Sequence, residues 1–591
     1  MRKPHIRRVA MSVAVTTAAT LPGPAFAVAP DRPSPTAASA TSPVAAAEAA
    51  AFAHASATGV TPGDTLHAKD VMTDPDGKRH VRFVRGHRGL PVLGGDLVVH
   101  LGKAAEYLGV TRAADHLVEP SGVEAKLTPS EAERKAAAAA RGEAGDARLV
   151  VDARDGAAAL AYQVLVTDSD TTEAGGSRTV VVDARTGRIR SSTPENDEFI
   201  SPSLADTLRG RGEHATPRTG TATALPGLTS GTAAGRYPAT ATGSGASLFA
   251  GKVALTTTRT ARAAYLLKDP TRWNTETRDA KGQELESFAR GKKFTDGDNK
   301  WGTGATSSRA TAAVDAQYGI TKTLDFYKKT FGRKGVRNNS AGARGMVHFG
   351  DKVGNAFWDS TCGCMLYGDG DGRVFKKPLV VLDVTGHELT HGVVDATAAL
   401  EPTRVDEDGD QYGEPGALNE SLADVFGSNV EFSANNPRNP PNYLVGEKLG
   451  LAQKFLRRLD HPSLDVLEES IDYWSPAAYD TEVHAGSGVS SHAYYLLAEG
   501  SGRKTINGVA YDSPTYDGSR VTGIGRAKAT AVFYRALTRY MVSTTDFHDA
   551  RKATLKAAAD MYGAGSAEYK AVGRAWAAVN VTAANTPAPR R

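Results

Sequence analysis

A five-residue motif at positions 387–391, His-Glu-Leu-Thr-His, constrains this chain more than any other feature of its sequence. Residues four apart share one face of an α-helix, so His387 and His391 can reach one metal ion while Glu388 points close to it. The motif therefore predicts a helix that carries two metal ligands. The pattern also arises by chance on surface helices, so taken alone it leaves a solvated helix open.

A second helical segment, 416–424, supplies a candidate for the third ligand. Glu420 lies where it can approach the two histidines, and two histidines with one carboxylate leave zinc a fourth position for water, as in catalytic sites. Asn419 and Asp424 then become candidates to hold the free ring nitrogens of the histidines. The alternative is that Glu420 and Asp424 form a solvated helix face.

Size and charge set the class of protein. The 591 residues predict several domains, and the composition is that of a globular protein, with a net charge of only +4. So small a charge gives no reason to expect nucleic acid or an anionic membrane as a partner. Two cysteines, Cys362 and Cys364, cannot form a four-ligand zinc site. A local disulfide is the first interpretation of this pair, and a reactive thiol pair is the alternative.

The amino terminus predicts export. Four basic residues precede a short apolar run, 9–21, and Ala25-Phe26-Ala27 provides a cleavage site. We therefore predict a signal peptide over residues 1–27 and secretion to the outside of the cell. The apolar run is too short to span a bilayer. An uncleaved helix or a chance alanine-rich start is the alternative.

Composition divides the rest of the chain. Residues 28–60 and 196–242 are rich in Ala, Pro, Ser, Thr and Gly, which predicts linkers, the second of them exposed and cleavable. Hydrophobic periodicity between the linkers predicts strands and one helix, Pro129–Ala140, with Ser130 as its N-cap. The last half of the chain shows hairpin patterns first and long helical patterns after Ala310. The sequence therefore predicts an α+β protein.

These motifs resemble those of the thermolysin family of bacterial zinc endopeptidases. The resemblance extends from about residue 240 to 580 and includes Asn355-Ala356-Phe357-Trp358 and Val483-His484. It implies a two-lobed catalytic unit, with a β-rich lobe over 243–400, a helical lobe over 401–583, zinc in the cleft and a short tail, 584–591.

The residues upstream of the catalytic unit carry a further resemblance. Residues 61–120 are similar to the fungalysin/thermolysin propeptide motif, and 121–195 are similar to a PepSY domain. The resemblance implies that these α+β modules act as inhibitor and folding aid of a monomeric enzyme that cleaves proteins and peptides.

The same resemblance implies roles for individual residues. Glu388 is the general base, His484 and Tyr412 donate hydrogen bonds to the oxyanion, and Asp480 orients His484. Tyr412 follows an acidic insertion, 402–411, for which a solvated loop and a calcium site are both possible. The groups that hold the substrate chain are Asn355, Ala356 and Arg457.

A specificity pocket and a calcium site also follow from the resemblance. The pocket is apolar and implies cleavage on the amino side of bulky hydrophobic residues; it consists of Phe375, Leu379, Val384, Val445, Leu449 and Leu456. These six residues could equally be plain core. The expected calcium ligands are Asp383, Glu431, Asn442 and Glu447.

Two other functions compete with an endopeptidase. An exopeptidase with the same histidines would need a group that anchors a free terminus, and the sequence shows no such motif. A binding protein built on an inactive protease fold would be expected to have lost Glu388, Glu420 or His484, and all three are present.

Overall fold

A computed structural model describes residues 42–122, 124–154, 156–168, 177–210, 237–285 and 287–585. The predicted signal peptide lies outside these residues. From Pro43 onward the upstream and catalytic parts pack as one unit. No helix in the described ranges has the length and apolar character needed to cross a membrane.

The upstream part is built on one mixed sheet. Its strands are β1 (Asp64–Thr73), β2 (Arg79–His87), β3 (Leu90–Leu93), β4 (Leu97–Leu101), β5 (Tyr107–Arg112), β6 (Gly142–Ala144), β7 (Arg148–Asp152), β8 (Ala159–Asp168), β9 (Ser177–Asp183) and β10 (Ile189–Pro194). The order is β10-β9-β8-β7-β3-β2-β4-β5, with β1 beside β2 and β6 beside β8. The parallel pair β3 and β7 joins the two predicted modules.

Helices cover this sheet, and they correct two expectations. The predicted linker 28–60 is wrong for its described end, because α1 (Pro43–Ala53) and α2 (Ala55–Thr58) are helices with Ala47 and Ala51 fully buried. Alanine is common in linkers but also has the highest helix propensity, so composition alone gave the wrong prediction for this segment. Helix α3 (Pro129–Ala140) has the predicted bounds, but its N-cap is Thr128, which forms a capping box with Glu131.

The first half of the catalytic part is rich in strands. One sheet has the order β11-β21-β22-β20-β16-β15, with β17 beside β16, and another has the order β18-β14-β13-β12-β19. Their bounds are β11 (Asn196–Glu198), β12 (Ala239–Ala246), β13 (Lys252–Ala261), β14 (Ala264–Leu266), β15 (Lys268–Asp269), β16 (Thr275–Gln283), β17 (Lys292–Lys293), β18 (Thr295–Asp296), β19 (Lys300–Trp301), β20 (Arg344–Phe349), β21 (Ala356–Asp359) and β22 (Cys364–Tyr367). A disulfide joins Cys362 and Cys364 beside β22.

The second half is helical and confirms the predicted two-part α+β architecture. The helices that follow the upstream part are α4 (Pro202–Gly210), α5 (Arg309–Phe331), α6 (Leu382–Asp395), α7 (Glu414–Ala434), α8 (Val483–Gly486), α9 (Gly488–Glu499), α10 (Arg526–Arg535), α11 (Phe547–Tyr562) and α12 (Ala567–Ala577). Short two-stranded pairs lie between them, namely β23 (Arg404–Val405) with β24 (Gln411–Tyr412), β25 (Leu444–Val445) with β26 (Arg457–Arg458), and β27 (Gly502–Ile506) with β28 (Val509–Ser513).

Two glycines set the distance between the two helices that carry the metal motifs. A Cβ atom on Gly386 of α6 would lie 2.9 Å from the Cα atom of Gly427 of α7, and one on Gly427 would lie 2.7 Å from the carbonyl oxygen of Asp383. Any larger residue at either position would force the helices apart. This close approach brings the 387–391 motif against Glu420.

Candidate active site

The three predicted metal ligands converge in the buried space between α6 and α7. His387 Nε2 lies 3.0 Å from His391 Nε2 and 3.3 Å from Glu420 Oε2, and His391 Nε2 lies 3.5 Å from Glu420 Oε1. All three residues are at most 4% exposed. One small ion can therefore touch all three ligand atoms.

The hydrogen bonds behind the two imidazoles show that this set fits a cation. His387 Nδ1 donates to Asp424 Oδ1 at 2.7 Å, and His391 Nδ1 donates to Asn419 Oδ1 at 3.0 Å. Each Nδ1 therefore carries the proton, and both Nε2 atoms present lone pairs to each other and to a carboxylate. Such an arrangement is repulsive unless a proton or a metal cation lies between the lone pairs. Two neutral imidazoles and one carboxylate are the donors that catalytic zinc uses.

Glu388 lies beside this set with its carboxylate unengaged. It is fully buried, and within the described residues its oxygens make no well-aligned hydrogen bond, the Trp358 backbone being a weak partner. Burial raises its pKa well above the ordinary value, and the charge of Glu420 raises it further. A nearby bound cation acts in the opposite direction. Glu388 is thus a carboxylate that is free to take a proton.

His484 faces the same space from α8 and is held by Glu482. Its Nδ1 lies 2.8 Å from Glu482 Oε1, and its Nε2 lies 2.8 Å from the carbonyl oxygen of Glu198. Both partners are acceptors, so both ring nitrogens donate and the ring is an imidazolium. Burial would lower the pKa of His484, but the charges of Glu482 and Glu420 outweigh it and raise that pKa well above its ordinary value.

The chain itself occupies the cleft in front of these groups. Strand β11 pairs antiparallel with β21, with Glu198 opposite Phe357. Beyond it, the Phe199 amide donates to the carbonyl oxygen of Ala356 at 3.1 Å. The Arg457 guanidinium donates to the Phe199 carbonyl oxygen at 2.9 Å. The residues predicted to hold a substrate backbone therefore hold this segment.

Asn355 completes this set of backbone contacts. Its Oδ1 accepts from the Ile200 amide at 3.2 Å, and its Nδ2 lies 3.3 Å from the Ile200 carbonyl oxygen. Together with the contacts to Phe199, these bonds bind two consecutive residues, Phe199 and Ile200, through their main-chain atoms.

The Phe199 side chain fills an apolar pocket next to the metal ligands. Its ring is fully buried, 5.3 Å from the His387 ring and 5.1 Å from the Arg457 guanidinium carbon. Its Cζ atom lies with Leu449 and Leu456 around Gly446. The six predicted pocket residues all lie in the large buried core of the catalytic part, which also contains Phe199; they are Phe375, Leu379, Val384, Val445, Leu449 and Leu456.

Three family models match the chain. The model of the thermolysin metallopeptidase catalytic domain matches residues 242–395, that of its alpha-helical domain matches 411–581, and the fungalysin/thermolysin propeptide motif matches 64–114. Thermolysin from Alicyclobacillus acidocaldarius subsp. acidocaldarius is 33% identical over 532 residues, which cover 86% of this chain and 85% of that protein. The chain belongs to the thermolysin family.

Two further proteins are similar to parts of the chain. A transglutaminase-activating metalloprotease from Streptomyces mobaraensis is 38% identical over 527 residues, and the match covers 88% of this chain but only 61% of that protein's length. A solved precursor of protealysin, a metalloproteinase from Serratia proteamaculans, is 27% identical with a TM-score of 0.39, covering 52% of this chain and 87% of that one.

Two catalytic roles implied by the family resemblance do not fit the structure. Asp480 is exposed and pairs with Arg404 at 3.5 Å, whereas Glu482 contacts His484, so the prediction for Asp480 is wrong. The Tyr412 hydroxyl donates its single proton to Asp406 at 2.7 Å, so it offers none to an oxyanion.

The structure also shows two residues that bind the cleft segment and that the sequence motifs do not identify. Glu468 accepts from the amide and hydroxyl of Ser201, at 3.3 and 2.8 Å. Asp410 of the acidic insertion accepts from the amide of Ser203 at 3.0 Å and from its hydroxyl. Both residues bind the segment that the sequence predicts as an exposed linker, and that prediction is wrong for residues 196–208.

A second cluster of carboxylates lies behind the zinc ligands. Asp383, Glu431 and Glu447 place ligand atoms within 4.8 Å of one another, and Asn442 Nδ2 lies 3.2 Å from Glu447 Oε1. Each of the three acids has one buried oxygen without a hydrogen bond inside the described part of the chain. Burial raises the pKa of all three, that of Glu447 to about 8; neighbouring carboxylates of the cluster add repulsion at Glu431 and Glu447, and Asp424 adds it at Asp383. Carboxylates packed this closely fit a hard cation.

Proposed function

We propose that this chain is a secreted zinc metalloendopeptidase made as a self-inhibited precursor. The observation that carries the proposal is the ligand set with two facing Nε2 lone pairs, beside the free carboxylate of Glu388 and the imidazolium of His484. A zinc ion held there supplies a polarised carbonyl and a water of lowered pKa. An exopeptidase is disfavoured because the bound backbone continues on both sides of His484.

The protein residues divide the chemistry among them. Glu388 takes the proton of the attacking water and passes it to the leaving amine. His484 donates its Nε2 proton to the carbonyl oxygen, where negative charge develops in the transition state. Arg457 and Asn355 hold the chain on the amine side, which fixes the peptide bond between these groups.

The upstream part acts as the inhibitor in this proposal. The segment 196–203 fills the positions that an external substrate would need, so the two compete. Buried ion pairs attach the upstream sheet to the helical lobe, among them Asp74 with Arg535. Lys69 likewise donates to the Asp395 carbonyl oxygen at 2.7 Å, at the end of α6. The inhibitor is therefore anchored at several places and not by the cleft segment alone.

Cleavage should fall on the amino side of bulky hydrophobic residues. Burial of apolar side chains in the Phe199 pocket contributes about 25 cal/mol per Å². A charged side chain would lose its hydration there without a partner. Digestion of a peptide library by the processed enzyme, followed by sequencing, should yield new amino termini that are mostly Leu, Phe or Ile. A majority of Asp, Glu, Lys or Gly would contradict the pocket assignment.

Calcium binding at Asp383, Glu431 and Glu447 should stabilise the fold. A free calcium concentration 100-fold above Kd adds about 2.7 kcal/mol to the free energy of unfolding, which thermal unfolding with and without calcium would detect. The Glu431→Gln variant should lose this calcium response. Glu407→Gln, at an exposed acid of the insertion, is the matched control. If only the control lost the response, calcium would bind the insertion instead.

A further inference from the structure

We propose that the contact between the upstream sheet and the helical lobe opens when the pH falls, because it contains a buried histidine pair, His80 of β2 and His100 of β4. This inference concerns regulation and rests on the proposed function, in which the upstream part is the inhibitor. The two residues are cross-strand neighbours in register. Their Nδ1 atoms lie 2.8 Å apart, and the residues are only 2% and 7% exposed.

The pair lies on the face of the upstream sheet that contacts the helical lobe. Successive side chains of a strand point to opposite faces of its sheet. Val81 and Val99 belong to a buried cluster with residues of α1, so His80 and His100 point to the other face. There the ring of Tyr540 lies 5.6 Å from that of His80 and 5.1 Å from that of His100. The pair is therefore buried at the junction of inhibitor and enzyme.

The hydrogen bonds of the pair leave room for one proton between the two Nδ1 atoms. His80 Nε2 donates to Asp74 Oδ2 at 3.0 Å, and His100 Nε2 lies 3.1 Å from Thr111 Oγ1. One Nδ1 must donate to the other, which therefore carries a lone pair. At most one of the two rings is thus an imidazolium in this structure. A second proton would set two N–H groups against each other.

The charges around the pair also oppose a second proton. The charged groups that face it form pairs, namely Asp74 with Arg535 and Arg539, Asp560 with Arg535 and Lys78, and Asp96 with Arg82. Lys556 adds a further cation, 5.9 Å from the centre of the Tyr540 ring. Burial lowers the pKa of His100 well below its ordinary value, and the charge of His80 and the surrounding cations lower it further.

Two neighbours do not relieve this repulsion in mild acid. Burial would raise the pKa of Asp74, but hydrogen bonds from His80 and Arg535 outweigh it and lower that pKa, so Asp74 keeps its charge. Burial and the hydrogen bond to Asp560 raise the pKa of Tyr540, so its hydroxyl stays neutral. The histidines are therefore the groups of this junction whose charge changes as the pH falls.

Separation of the sheet from the helical lobe would expose both rings to water. Each ring then takes its ordinary pKa of about 6.5. Below that pH the open state binds at least one proton more than the closed state. Opening therefore becomes easier as the pH falls below about 6.5, by about 10-fold per pH unit for each additional proton. Above that pH the closed contact keeps its full stability.

Hydrogen exchange of the full-length precursor provides the test. The probe is the segment 541–545, in which the Ser543 amide donates to Asp96 Oδ2 at 3.3 Å and Val542 packs against Val98 and Ala113 of the upstream part. The chain is kept metal-free so that it cannot digest itself, and each rate is divided by the intrinsic rate at the same pH.

We expect the probe segment to exchange about 10-fold faster at about pH 5.5 than at about pH 7.5, while the amides of α7 do not change. An unchanged rate in the probe segment, or an equal change in α7, would overturn the proposal.

The His100→Gln variant removes one titrating ring and keeps a polar side chain. Its probe segment should change by less than about 3-fold over the same range, because His80 can then gain a proton without a second imidazolium beside it. His67→Asn, at an exposed histidine of β1, is the matched control and should keep the wild-type pH dependence. If His100→Gln does not fold, His80→Gln takes its place with the same expectation. The full wild-type pH dependence in either variant would overturn the proposal.

Casein hydrolysis separates this inference from the proposed function. A zinc-loaded enzyme that hydrolyses casein, and whose precursor does not open in acid, would refute the pH-sensitive contact alone. Acid-dependent opening in a chain that never hydrolyses casein would support the contact and refute the proposed function.

Discussion

The Glu388→Gln variant should bind zinc as the wild type does and yet lose nearly all turnover. The substitution keeps the size of the side chain and leaves His387, His391 and Glu420 untouched, but an amide cannot take the proton of the attacking water. General-base catalysis contributes roughly 10²–10⁴-fold. The purified precursor of this variant should neither shorten itself nor hydrolyse casein at more than about a hundredth of the wild-type rate, while its zinc content stays at one ion per chain.

Glu469→Gln is the matched control, because Glu469 is an exposed glutamate of the same catalytic unit. It should process and hydrolyse casein as the wild type does. Retention of wild-type activity by Glu388→Gln would show that another group is the base. Loss of zinc from that variant would show that Glu388 is a ligand.

The His391→Ala variant should lose the metal itself. The Nε2 atom of His391 carries one of the two facing lone pairs that would bind zinc. Loss of a direct ligand should weaken zinc binding by more than the 10–100-fold caused by loss of a residue that only hydrogen-bonds to a ligand. Casein hydrolysis should fall to background at zinc concentrations that saturate the wild type. Equilibrium dialysis with zinc measures the first effect directly.

His461→Ala is the control for a lost imidazole. His461 has a partly exposed side chain, 3.5 Å from Asp472. This variant should bind one zinc ion per chain and remain active. Stoichiometric zinc in His391→Ala would mean that the ligand set is misassigned.

The metal site could be predicted because helical periodicity is local. The spacing of His387 and His391 places both imidazoles on one face whatever surrounds the helix. Glu420 could be predicted for a different reason: its own segment shows a helical pattern, and the family resemblance supplies its role. The distance between α6 and α7 could not be predicted from the sequence, although Gly386 and Gly427 are the residues that permit their close approach.

Three features could not be predicted, each for a physical reason. The choice between Asp480 and Glu482 depends on a displacement of two residues in a short loop, which motif matching does not resolve. Composition predicts a linker over 28–60, but alanine-rich residues form a helix, α1, where the sheet offers an apolar surface against which Ala47 packs.

The third feature is the cleft segment. Phe199 and Ile200 are two apolar residues in a polar stretch, and no local pattern shows that a distant edge strand binds them. Their role depends on a pairing across the chain, with β21, that only the folded molecule contains.

Zinc titration of the processed wild-type enzyme tests the central claim most directly. The metal is removed with a chelator at constant calcium and returned in substoichiometric steps, and casein hydrolysis is measured against zinc bound per chain. We predict no hydrolysis without zinc and a linear rise that stops at one zinc ion per chain. Hydrolysis by the zinc-free protein, or none at one zinc ion per chain, would contradict the account.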